Sequence, residues 1–373
     1  PMYIKQNNLI KQLVTKSPTP LSSNEENYQI NADIWFTKEK IEQFSKMIEV
    51  SDNIVILSHF NPDGDAVGST TGLYKFLQNL GKKNLSIIYP NEYAQNLSFL
   101  FEGVNHLIAS NGLLTAKQLL KQADLLIFMD LNRISRTSEE LKRLIDPLDI
   151  PKILIDHHID PHQFDISFSD SEASSTAELT YKIIKQLDST KIDLNVAKSI
   201  YTGICTDTGS FSYSCSRRDC FDVVAELVEF GLEIAPLKRQ VFDLSSENRL
   251  KLLGYLLSEK LRVFPQHKAA YISVSKQELR QFNFQKGDLE GVVNYCLKIE
   301  GIEFAALLSE RQDMIRLSFR STNPNIDVNK FANKYWSGGG HILAAGGNSP
   351  LLLKEVEDKL EEQIKNNLHE NNQ

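Results

Sequence analysis

The sequence predicts an α/β protein: a doubly wound parallel sheet in the first domain, followed by a smaller C-terminal α/β domain with a mixed sheet. Three observations carry this. Four short apolar runs recur between residues 53 and 156, and helical periodicity separates them. Strands buried on both faces and alternating with helices mark a parallel sheet covered on both sides. After residue 261 strand-like runs follow one another in pairs, a pattern that suits a mixed sheet. Finally, 373 residues exceed one average domain and fit two, each able to bury its own core.

In chain order, residues 1–35 form a flexible N-terminal arm, because their Ser-, Pro- and Asn-rich stretch at 16–31 has no apolar period. Helical spacing begins at 34–50, where Ile41, Phe44, Met47 and Ile48 share a face. The apolar runs 53–58, 85–89, 124–130 and 152–156 are strands, with helices at 66–80 and 113–121 between them. Helices at 175–187, 195–206, 218–230 and 235–244 complete a catalytic domain spanning 36–245. A linker helix fills 246–262. The second domain, 263–373, follows a strand-like run at 262–264 with strands at 269–274, 303–309 and 314–320, helices at 289–298 and 328–335, and a closing helix from 352.

Composition bounds the function. A net charge of −7 argues against long nucleic acid held by phosphate neutralisation, while allowing a short anionic ligand in a locally positive cleft. The four cysteines form no CxxC pair, so free thiols are expected rather than a zinc or disulfide framework. No run of about 18 apolar residues and no basic-then-apolar leader is seen, which predicts a soluble cytoplasmic protein without a membrane span.

Chemistry-bearing residues gather where the apolar strands end. His59 follows the first, and Asp63 and Asp65 stand in a Pro-Asp-Gly-Asp turn that opens a helix (SHFNPDGDAVGS, 58–69). In an open parallel sheet, loops leaving the strands' carboxyl ends form the ligand crevice. A histidine and two carboxylates there offer several metal ligands, although a single Asp would serve equally as a helix cap. Gly68 permits close helix packing. Asp130 ends DLLIFMD, where a carboxylate must reach solvent or pair with a cation. Asp156, His157 and His158 end the next run, supplying an orienting acid, a ligand imidazole and a second imidazole for substrate. Asp207 lies at a helix end within YTGICTDTGSFSY (201–213).

Taken in order, PDGDAVGS, Asp130, the Asp-His-His triplet and TDTGSF resemble the successive motifs of the DHH phosphoesterase superfamily. The run Ser337-Gly338-Gly339-Gly340-His341, with AAGG at 344–347, resembles the glycine-histidine signature of the DHHA1 domain that accompanies it. The resemblance spans residue 36 to the C-terminus. In size it is nearest the subgroup that hydrolyses short oligoribonucleotides and removes a phosphate from 3′-phosphoadenosine 5′-phosphate.

That resemblance implies roles. His59, Asp63 and Asp130 would hold one metal ion, and Asp65, Asp130, His157 and Asp207 a second, with Asp130 bridging. His158 would contact phosphate, with Asp156 acting behind it. Four carboxylates balance two divalent cations, and mixed carboxylate and imidazole donors suit Mn²⁺, with Mg²⁺ or Co²⁺ next. Gly338, Gly339 and Gly340 would bring backbone N–H groups to a phosphate, with His341 adding a side chain. Arg136 fits a basic position after the strand-end aspartate. Arg316 and Arg320, four apart on a strand, share a face and can reach an anion. Trp336 either stacks on a base or packs in the core. His106, His162 and His267 are structural or surface residues.

The implied function is hydrolysis of short oligoribonucleotides, dinucleotides or 3′-phosphoadenosine 5′-phosphate by metal-activated water. The implied partners are short RNA or small phosphorylated nucleotides, not long duplex nucleic acid or membrane, with a homodimer open. Inorganic pyrophosphatase or polyphosphatase and cyclic-dinucleotide phosphodiesterase are the alternatives within enzymes. A catalytically silent nucleotide-binding module is the alternative outside them.

Overall fold

The computed structural model describes residues 36–212, 215, 217–243 and 246–366, so the predicted arm at 1–35 lies outside the described residues. The first half runs α1 (Lys38–Val50), β1 (Asn53–Leu57), α2 (Gly64–Asn79), β2 (Asn84–Tyr89), β3 (His106–Ile108), α3 (Leu113–Gln122), β4 (Leu125–Met129), α4 (Glu139–Ile145), β5 (Lys152–Asp156) and β6 (Ile166–Ser169). Helices α5 (Thr176–Asp188), α6 (Leu194–Asp207), α7 (Arg218–Glu229) and α8 (Ile234–Lys238) follow.

Its six strands are all parallel, in the order β3-β2-β1-β4-β5-β6. Successive strand residues face opposite sides. Ile54 and Ile56 accordingly pack into the cluster that holds α1, α2, α5 and α6, while Val55 and Leu57 pack with α3 and α4. Helices α2 and α6 approach backbone to backbone at Gly68, where a Cβ would stand 2.5 Å from the Gly203 nitrogen and 2.6 Å from the Ser199 carbonyl oxygen.

The second half begins with α9 (Glu247–Tyr255), which passes through a wide π-helical turn into β7 (Leu261–Phe264). Then come β8 (Ala269–Val274), α10 (Lys276–Gln281), α11 (Val292–Cys296), β9 (Phe304–Glu310), β10 (Ile315–Ser321), α12 (Val328–Tyr335), β11 (Gly339–Gly340), β12 (Ala344–Ser349) and α13 (Leu353–Asn366). The sheet order is β11-β12-β10-β9-β8-β7. Only β8 and β9 run parallel, so the sheet is mixed.

Several elements depart from the sequence expectation. Strands β3 and β6 were not predicted, because as edge strands they are only partly buried and lack a continuous apolar run. The helix expected at 289–298 shrinks to α11, since Gly291 at φ 74° breaks its start. The helix expected at 235–244 is regular only to Lys238. Strand β7 begins at Leu261, one residue before the expected run at 262–264, and pairs with β8. All four cysteines are free. No helix among the described residues is long and apolar enough to cross a membrane.

Candidate metal centre and active site

Strand order places the site. The chain winds outward from β1 through β2 to β3, then returns to β4 on the other side of β1. Crevices at such reversals, outside the strands' carboxyl ends, bind ligands. The Ser58 hydroxyl donates to the Met129 carbonyl at 2.9 Å and ties the ends of β1 and β4 together. His59 leaves β1, Asp130 leaves β4 and His157 leaves β5 at this same edge. Asp130 turns there with φ 58°, a left-handed conformation that costs a non-glycine residue about 1 kcal/mol and needs surrounding structure to hold it.

Two of the aspartates also serve helices. The Asp63 Oδ1 accepts from the Asp65 and Ala66 N–H groups at 3.0 and 3.1 Å and so caps α2. Capping and membership of the cluster therefore coexist in one carboxylate. Asp65 reaches across to the start of α5, where Oδ2 accepts from the Thr176 N–H at 2.7 Å and Oδ1 from the Ala177 N–H at 2.9 Å. A helix N-terminus favours an anion there.

The donor atoms fall into two neighbouring groups. His59, Asp63 and Asp130 form one, and Asp65, His157 and Asp207 the other, with atoms within 4.8 Å of one another in each. Asp130 stands between them. Its Oδ2 lies 3.2 Å from His59 Nε2 and its Oδ1 3.7 Å from His157 Nε2. The Thr176 hydroxyl donates to the same Oδ1 at 3.1 Å and fixes it. Both imidazoles turn Nδ1 toward a backbone carbonyl, His59 to Phe60 at 3.0 Å and His157 to Ala173 at 3.4 Å. Nε2 of each is thereby aimed into the cluster, the arrangement metal-binding histidines use. The His158 Nδ1 is held by Asp156 Oδ1 at 2.7 Å, which leaves Nε2 as its free ring nitrogen. The other oxygen of Asp156 is buried without a hydrogen-bond partner.

Electrostatics show what is missing from this acidic crowd. Asp65 is 1%, Asp130 2% and Asp156 0% exposed. Burial, then the charges of Asp130, Asp207 and Asp63, push the Asp65 carboxyl well above its ordinary range. Burial and the neighbouring Asp63 and Asp130 likewise raise Asp207 to about 7, against the opposing pull of His157 and Arg320. Burial disfavours a charged His59, but hydrogen bonds to Asp130 and Asp63 outweigh it and raise that imidazole to about 10. His157 is raised in the same sense, by Asp207, Asp130 and Asp156 acting against burial. Asp130 is also opposed by burial, yet the histidines around it hold its carboxyl far below the usual range. Carboxylates forced to share protons this way offer what divalent cations need: hard oxygen and imidazole donors, with no thiolate among them.

The second sheet lies over the cluster. His341 stacks on His158 with ring centroids 4.9 Å apart and planes at 26°. Burial and the nearby His158 and His157 lower His341 to about 4, so it is neutral at pH 7, and the Arg136 charge contributes to that shift. Arg320 is near enough to act on Asp207. Arg316, on the same face of β10, extends Nη1 to within 3.5 Å of Asn61 Oδ1.

Part of the glycine run is engaged within the protein. The Gly338 N–H donates to Ala332 O at 3.2 Å, the Gly340 N–H to Asn329 Oδ1 at 2.9 Å, and the His341 N–H to Ala344 O at 2.7 Å. These donors are engaged inside the protein. Glycine is required there for packing, since a Cβ on Gly338 would lie 1.9 Å from the Gly346 carbonyl oxygen. Trp336 is buried in the second core against Phe319, not open to stack on a base. His106 packs on Phe101 and meets the Tyr93 hydroxyl at 3.1 Å, a structural role. Sequence reading missed Thr176 and Asn61. Only the position of Asn61, between His59 and Asp63, could have drawn attention to it.

Comparison with known proteins adds a second line of observation. The DHH family, N-terminal domain, matches residues 53–204, and the DHHA1 domain matches residues 267–370. A Streptococcus mutans protein named probable bifunctional oligoribonuclease and PAP phosphatase NrnA is 31% identical over 320 residues, covering 84% of this chain and 95% of its own. The Bacillus subtilis bifunctional oligoribonuclease and PAP phosphatase NrnA is 27% identical over 307 residues, covering 81% and 91%. Among solved structures, an exopolyphosphatase-related protein from Bacteroides fragilis superposes with a TM-score of 0.84 at 34% identity, covering 90% of this chain and 98% of that one. RecJ of Thermus thermophilus in complex with Mn²⁺ shares the fold, with a TM-score of 0.53 at 13% identity over 88% of this chain and 55% of its own.

Proposed function

The chain belongs to the DHH phosphoesterase family and carries a DHHA1 domain, and on that premise we propose that it hydrolyses short oligoribonucleotides and 3′-phosphoadenosine 5′-phosphate with the help of two divalent metal ions. The observation that carries this reading is the placement of Asp130, one carboxylate reaching both donor groups at the switch point of the sheet. The names of the two similar bacterial proteins support the substrate class.

In this reading His59, Asp63 and Asp130 hold one ion, and Asp65, Asp130, His157 and Asp207 the other. Mn²⁺ is the first choice, with Mg²⁺ or Co²⁺ next, because the donors are oxygen and imidazole. When bound, such a pair lowers the pKa of the attacking water and neutralises the phosphate. Thr176 keeps Asp130 from rotating away from either group. Asp156 fixes His158 with a proton on Nδ1 and presents Nε2 to the substrate, where it can hydrogen-bond a phosphate oxygen or pass a proton to the leaving oxygen. His341, neutral and stacked on His158, closes the site from the second half and limits water around it. Arg136 and Arg320 supply positive charge at the same seam. Gly338 and Gly340 shape the loop that delivers His341, and Gly339 keeps its assignment to a phosphate oxygen.

The test is turnover of pApA, 3′-phosphoadenosine 5′-phosphate and pyrophosphate side by side with Mn²⁺, against a chelator control. Preference for the two nucleotides is the expected result. One observation favours a second reading: the similarity to the exopolyphosphatase-related protein makes polyphosphate a competing substrate, and a preference for pyrophosphate or polyphosphate would establish it.

A further inference from the structure

Three basic side chains of the second half stand together where it meets the loop between His59 and Asp63. Arg316 extends toward Asn61, which is itself pinned: its N–H donates to Asn91 Oδ1 at 2.7 Å, and Asn91 Nδ2 donates back to its Oδ1 at 2.8 Å. Arg311, in the turn joining β9 to β10, lays its guanidinium over the Phe284 ring with Cζ 4.6 Å from the centroid. Its Nε is sealed from solvent without a hydrogen-bond partner. Lys286, two residues beyond Phe284, is exposed.

Backbone geometry brings the three together: the Arg311 N–H donates to the Met314 carbonyl at 2.9 Å, closing the turn just before Arg316, and a Cβ on Gly287, next to Lys286, would stand 3.2 Å from the Ala94 Cβ, three residues beyond Asn91. Burial, followed by the Arg316 charge, lowers the Arg311 pKa. Partial enclosure by the surrounding protein lowers Lys286 too, to about 8, with Arg316 and Arg311 adding to it against the pull of Glu92 and Glu290. Among the described residues no carboxylate stands within ion-pair distance of Lys286, Arg311 or Arg316. The adjoining segment also borders the metal cluster, because Asp63 helps raise Glu290 to about 6 after burial. Like charges held together on a fixed frame, with no carboxylate in ion-pair contact, form an anion site.

We propose that Lys286, Arg311 and Arg316 form a second phosphate subsite, which takes a non-reacting phosphomonoester of the substrate while another phosphate is cleaved beside Asp130. The inference deepens the proposed function and rests on it for the identity of the substrate. It makes the enzyme prefer a short oligonucleotide that bears a terminal phosphate over the same one without it.

The experiment compares pApA with ApA in the wild type and in the separate variants Lys286→Ala and Arg311→Gln, with Mn²⁺ present. The expected result is that each variant lowers the pApA-to-ApA ratio of kcat/KM about tenfold, through KM for pApA. Equal losses on both dinucleotides, or an unchanged ratio, overturn the subsite. A parallel assay measures inhibition by 5′-AMP and by adenosine of bis-p-nitrophenyl phosphate turnover. The phosphate-dependent part of that inhibition weakens in both variants if the subsite exists and is unchanged if it does not. Should the wild type cleave neither dinucleotide, the substrate reading fails, and the inhibition assay still decides the subsite.

Discussion

The two walls of the cleft hold opposite charge in different ways. The strand ends of the first sheet crowd Asp65, Asp130 and Asp156 almost out of solvent, and the pKa of Asp65 rises in response. The second half sets Lys286 and Arg316 in contact with solvent, and their pKa values fall. Each wall concentrates one sign, yet only the acidic one is largely buried, with hydrogen bonds holding His59, Asp63, Asp65, Asp130 and His157 in place. A sealed nest of hard donors suits a small cation that stays bound and sheds its water. An open basic surface suits a larger anion that must arrive and leave. The difference separates a resident cofactor from a passing substrate.

The comparison breaks most visibly at Asp130. Asp130→Ala is expected to lower kcat on pApA on the order of a thousandfold and to reduce bound Mn²⁺ per chain. Full turnover in that variant would remove the shared carboxylate from the scheme. Next in size is Asp156→Asn, which removes the negative charge behind His158 without replacing a proposed ligand. A fall in kcat of roughly ten- to a hundredfold, with metal content retained, is expected. Loss of metal instead would make Asp156 part of the nest itself.

Proton release tests how sealed the acidic wall is. The Asp207 carboxyl, raised to about 7 by burial and by Asp63 and Asp130, is protonated below that pH and must ionise to bind a cation. His59, raised to about 10 against burial by Asp130 and Asp63, must also shed a proton. Mn²⁺ affinity of the metal-free protein should therefore fall as pH drops from 8 to 6, by about tenfold per unit for each proton released. Calorimetry in buffers of different ionisation enthalpy counts those protons, and a count of zero would show that neither group ligates.

At the seam between the walls, His341→Ala should raise KM for pApA about tenfold while affecting bis-p-nitrophenyl phosphate far less. Equal loss on both substrates would move His341 into the catalytic step. The smallest effect on chemistry is expected from Gly68→Ala, which alters none of the proposed ligands. Its Cβ would press on Gly203 and Ser199 of α6, costing about 1–3 kcal/mol of stability by thermal melting, with the activity of the folded fraction retained.

Much of this frame was written locally. Asp130, and the triplet at Asp156, His157 and His158, follow unbroken apolar runs, and a polar group at such a boundary announces a strand end facing solvent or ligand. Gly68 was legible because its spacing from the turn left no other reason for a glycine. The glycines at 338–340 were legible only by half. Their sequence showed that a side chain could not fit, but the neighbour that excludes it is the protein's own Gly346 carbonyl rather than a phosphate. Strands β3 and β6 escaped because edge burial leaves no continuous pattern. Thr176, Lys286 and Arg311 carry no local mark at all.

By itself the sequence determined which residues end the strands, which helices stand between them, and what donor chemistry those ends carry, because burial imposes a period of 2 or 3.6 residues on the chain. Only the tertiary structure decided that Asp65 caps a helix 111 residues away, that the carboxylate of Asp130 faces both donor groups, and that Arg316 reaches Asn61. Those facts depend on the strand order and on where the second sheet comes to rest. Long-range packing sets both, and it leaves no periodic trace in the residues it brings together.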